Sequence, residues 1–78
     1  MDRDQIYEEI AKIANANSAR KINFSELSLL LNIQQEGRSI ASRVKGAHTY
    51  FTNKGDVKTA DNIKDVYVDS TGRHAYEW

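Results

Sequence analysis

The chain has 78 residues, with 11 Lys+Arg balancing 11 Asp+Glu to a formal net charge of zero. It has no Cys, so disulfides and cysteine-ligated zinc are excluded, and with no Pro and four Gly it does not read as a disordered linker. One core is all this length accommodates, so a single domain over residues 1–78 is expected, and no apolar run approaches the roughly 20 residues of a bilayer span. The acidic start Met1-Asp2-Arg3-Asp4 lacks the apolar stretch of a secretory leader, so a cytoplasmic protein is expected.

The first periodic segment runs from Asp4 to Asn15. Ile6, Ile10, Ile13 and Ala14 fall on one helical face. Asp2 or Asp4 can cap its start, and Glu8 and Glu9 lie in early turns that favour negative charge. Lys21-Ile22 reads as a short extended link. Asn23 followed three residues later by Glu26 approximates a capping box. It opens a short helix with Leu27, Leu30 and Leu31 on one face, ending near Asn32. The link Asn32–Glu36 has a normal helix–helix length, and Ile33 within it is expected to tuck into the core.

Gly37 or Ser39 opens the third helix. Ile40, Val44, Ala47 and Phe51 fall at i, i+4, i+7 and i+11, the cleanest period in the chain. Gly55 is suited to close it, and Asp56 to cap a fourth helix containing Val57, Ala60 and Ile63. The tail changes character. Val66-Tyr67-Val68 reads as a strand, Asp69-Ser70-Thr71-Gly72 as a turn, and His74, Tyr76 and Trp78 alternate along a second strand. A lone hairpin is marginal in water, so Tyr67, Tyr76 and Trp78 are expected to glue it to the helices. The expected fold is α+β and mainly α, with three to four helices in a helix–turn–helix-like order before a C-terminal β-hairpin.

Charge is uneven beneath the zero sum. Residues 37–54 hold Arg38, Arg43, Lys45 and Lys54 and no acid. Opposite the apolar stripe of the third helix lie Arg38, Ser42, Lys45 and Thr49, with Arg43 on its flank. Arg and Lys pair with phosphates or guanine, and Ser and Thr reach phosphates or base edges. Gly46 on the same exposed side would allow a close approach to another backbone. The plain alternative is a solvated basic face, which many helices have, and the sequence pI of about 6.7 is low for a DNA reader.

The stretch Ile22-Asn23-Phe24-Ser25-Glu26-Leu27-Ser28-Leu29-Leu30-Leu31-Asn32-Ile33 resembles the start of winged helix–turn–helix domains. Gly37-Arg38-Ser39-Ile40-Ala41-Ser42-Arg43-Val44-Lys45-Gly46-Ala47 resembles their recognition helix, and is loosely similar to the DNA-binding helix of alkylguanine transferase-like domains. The resemblance covers about half the chain. It implies that Arg38, Ser42, Arg43 and Lys45 face a groove and that Phe24 is a buried anchor. The reactive Pro-Cys-His-Arg signature of the transferases is absent. A wing would directly follow the recognition helix, whereas here the Asp56–Lys64 helix intervenes.

Catalytic patterns are missing. His48 and His74 share no spacing with a carboxylate; His48 reads as a packing residue at the stripe's edge and His74 as exposed. Asp56, Asp61, Asp65 and Asp69 lack the order of a calcium loop. They read as a cap, two wet positions and a turn. No phosphate loop or nucleophile elbow occurs, and neither enzymatic activity nor a cofactor is expected. The leading expectation is a helix–turn–helix-type protein that binds double-stranded DNA, with Arg38 reading bases and Arg43, Lys45 and Arg73 on phosphates. A dimeric accessory or phage-type regulator would suit its size. The rival is a protein-interaction module, an inhibitor or assembly factor, that uses the acidic 56–69 segment and the aromatic hairpin.

Overall fold

The computed structural model describes residues 2–31, 37–69 and 71–74, the side chains of 37–39 excepted. Helix α1 (Arg3–Ala16) starts in a full capping box. The Asp2 carboxylate accepts from the Gln5 N–H, and the Gln5 side chain accepts from the Asp2 N–H. Strand β1 (Ile22–Asn23) leads into α2 (Phe24–Leu31), where the Asn23 side chain accepts from the Glu26 N–H at 2.9 Å. The reciprocal half of that box is absent, because Glu26 turns instead to Arg20 at 2.9 Å. Helix α3 (Gly37–Asn53) ends at Gly55, whose φ of 83° is the left-handed conformation a helix terminus favours. Asp56 caps α4 (Val57–Val66) by accepting from the Thr59 N–H, and strand β2 (Tyr67–Val68) follows directly.

The architecture is mainly helical with a small sheet. α3 packs on α1, α2 and α4, and α1 packs on α4. The expected face of α3 is the heart of the core: Ile40, Val44 and Ala47 are fully buried and Phe51 nearly so. Ile6, Ile10, Ala11 and Ala14 of α1 meet it, with Leu27, Leu31, Ala60, Ile63 and Val66. Each Leu or Ile so buried contributes about 1.5–3 kcal/mol. Among the described residues no helix is long and apolar enough to cross a membrane.

Several expectations need correction. Leu30 is 53% exposed rather than part of the α2 face, because only Leu27 and Leu31, four residues apart, point inward from so short a helix. The fourth helix does hold Val57, Ala60 and Ile63 as expected, with Val57 on its solvent side. Val66 closes α4 instead of starting the strand. Phe24 is only half-buried, packed against the rim of the core, so the anchor is partial. His74 is half-buried rather than exposed, because it bridges back to Val68. Ile33, Tyr76 and Trp78, expected in the core or the hairpin, lie outside the described residues.

The tail also differs in its partner. β2 pairs in parallel with β1, Ile22 opposite Tyr67 and Asn23 opposite Val68. The expected turn follows: the Asp69 carboxylate accepts from the Thr71 and Arg73 N–H groups and from the Thr71 hydroxyl. These contacts hold the Asp69 carboxyl below the usual range, the Thr71 hydroxyl most of all. Gly72 supplies the positive φ, and Val68 bridges His74 antiparallel. Tyr67 is the expected glue. It is fully buried, and its hydroxyl donates to the Ile10 carbonyl of α1.

Candidate nucleic-acid interface

The site grows from one periodicity. At about 100° per residue, burying Ile40, Val44, Ala47 and Phe51 forces residues 42, 45 and 49 to the far side of α3. Ser42, Lys45 and Thr49 are all exposed there. From Ser42 to Thr49 the helix rises about 10 Å. Among the described residues no carboxylate pairs with Lys45. Arg43 is half-buried on the flank, as its projection implied, and already has an interaction there. Arg73 is exposed in the turn after β2. The Arg38 side chain lies outside the description.

Other cations are engaged inside the molecule. Lys54 ends α3 but turns toward α1, 3.6 Å from the Glu8 carboxylate, with its ammonium 4.8 Å from the Tyr50 ring centre and 5.5 Å from that of Phe51. The Tyr50 phenol, and less strongly Glu8, raises the Lys54 pKa. Arg20 pairs with Glu26, and Lys21 donates to the Asp65 carbonyl at 2.7 Å. The bare basic strip is therefore shorter than the cation count of the sequence implies. The acids of the amino-terminal turns, Asp2, Asp4, Glu8 and Glu9, gather with Gln5 and Tyr50 in a shallow depression.

The room at Gly46 is taken up from within the chain. The approach it permits is internal, since Tyr7 of α1 lies against it. Nothing in the spacing of α1 marked Tyr7 for this contact. The available signal was Gly46 itself, because a glycine inside a helix costs about 1 kcal/mol against alanine and calls for a packing reason.

The residues of the rival reading are divided. Tyr67 is core, Asp56 is a cap and Asp69 organises a turn, while Asp61 and Asp65 are exposed on α4. An exposed apolar pair, Leu29 at 81% and Leu30 at 53%, stands out on α2; of the two, Leu30 was expected to face inward. His48 is half-buried at the stripe's edge. Among the described residues no three His, Asp or Glu side chains gather to hold a metal. Set against family models, curated proteins and solved structures, the chain matches none of them.

Proposed function

We propose that this chain is a small helix–turn–helix-type protein that binds duplex DNA through the solvent side of α3. The observation that supports it is the exposed Ser42–Lys45–Thr49 strip, set back to back with a fully buried apolar face. A helix so divided can lie in a major groove about 12 Å wide while its other side stays fixed to the core. α2 and α3 pack together in the order of a helix–turn–helix pair. In this reading Arg43, Lys45 and Arg73 contact phosphates, Ser42 and Thr49 hydrogen-bond at the groove, and Arg38 reads a base.

Three phosphate contacts imply a slope of log affinity against log salt near −2.7, at about −0.9 per contact. Between 50 and 200 mM salt that is a loss of roughly 40-fold. Titration of a mixed-sequence DNA duplex across a salt series tests it. Lys45→Ala is expected to flatten the slope by about one unit. Absent or salt-insensitive binding refutes the reading.

A second reading, a protein-interaction module, is favoured by the exposed Leu29–Leu30 pair, since exposed large apolar side chains are common at protein interfaces. A stoichiometric protein partner that persists after nuclease treatment, and is lost in Leu29→Ser, would support it over DNA binding.

A further inference from the structure

Gly46 interrupts the middle of α3, and Tyr7 of α1 occupies the room it leaves. A Cβ placed on Gly46 would lie 2.9 Å from the Tyr7 Cζ and 3.1 Å from its Cε1, with the hydroxyl oxygen nearer still. The phenol thus meets the α3 backbone end-on. By helical projection Gly46 stands about 40° from Ser42 and about 60° from Thr49. The Tyr7 hydroxyl therefore lies on the side of α3 next to the exposed strip, and Tyr7 and Gly46 are both half-buried there. Its ring is held in place, half-buried and tilted against Tyr50 with ring centres 5.4 Å apart. Among the described residues none hydrogen-bonds that hydroxyl. Arg3, one turn earlier on α1, is exposed.

From this geometry we infer that Tyr7 is a duplex contact supplied by α1, its hydroxyl donating to a phosphate oxygen beside the α3 strip. The inference rests on the DNA reading above. A phenol is a good donor to a phosphate, and a ring already wedged in place loses little freedom when it binds. The carboxylates of Asp2, Asp4, Glu8 and Glu9 gather with Tyr50 in a depression that Tyr7 does not line. Being neutral, the hydroxyl displaces no counterion, so it adds affinity without adding salt dependence.

Tyr7→Phe in the full chain is the test, since it keeps the ring on Gly46 and removes one oxygen. A mixed-sequence DNA duplex is titrated across a salt series with both proteins, alongside thermal melts. The expected result is about tenfold weaker binding at every salt concentration, with the slope and the melting temperature unchanged. If the unaltered chain binds the duplex and Tyr7→Phe binds it equally well, the Tyr7 contact is wrong while the α3 reading stands. A changed salt slope also overturns it. No binding by the unaltered chain overturns the DNA reading and this contact together.

Discussion

Replacing Tyr67 by Phe separates two consequences of burying a phenol. The ring is fully enclosed and its hydroxyl donates to the Ile10 carbonyl, so it ties the small sheet to α1. Phe keeps the ring and loses the hydrogen bond. Near neutral pH that costs about 1 kcal/mol, a sizeable share of the ~3–5 kcal/mol a core of this size supplies. Burial also raises the Tyr67 pKa from its usual 10.0. The folded state therefore keeps the phenol proton to higher pH than the unfolded chain does. Below pH 10 the two states bind the same proton and stability is unaffected. Above it the unfolded chain ionises first, and stability falls as pH rises, by about 1.4 kcal/mol by pH 11.

Tyr67→Phe has no such loss. The ranking of the two proteins should reverse: the native chain more stable by about 1 kcal/mol at pH 8, and the variant equal or slightly ahead at pH 11. Lys54, whose pKa is also raised, loses its stabilising interactions as pH climbs past its range, but it does so in both proteins and cancels in the comparison. Urea denaturation at the two pH values measures the difference. Parallel pH profiles would refute the argument that burial holds the Tyr67 proton in the folded state.

Gly55→Ala should destabilise the chain by about 1–2 kcal/mol in urea denaturation, because φ is +83° there although nothing crowds the position. An unchanged midpoint would show that the α3–α4 turn relaxes to another conformation. Leu27→Ala is expected to cost about 2–5 kcal/mol and leave much of the chain unfolded, whereas Leu30→Ala, three residues on, should stay within about 0.5 kcal/mol. Equal losses at the two positions would mean that the α2 face is rotated from the one described.

Local spacing carried most of the helical reading. A helix that buries residue 40 must also turn 44, 47 and 51 inward, so the face of α3 and its wet opposite side follow from the sequence alone. The caps at Asn23 and Asp56 and the terminus at Gly55 are equally local, each satisfied within a few residues. What needed the tertiary structure is whatever joins distant segments. Strands of two residues have no period to read, so the parallel pairing of Ile22–Asn23 with Tyr67–Val68, more than half the chain apart, was invisible beforehand. The same holds for the site. That Lys45 is bare while Lys54 is drawn onto Glu8 and Tyr50, and that Tyr7 ends on Gly46, depends on how α1 crosses α3. Composition counts cations, but packing decides which of them remain available to a ligand.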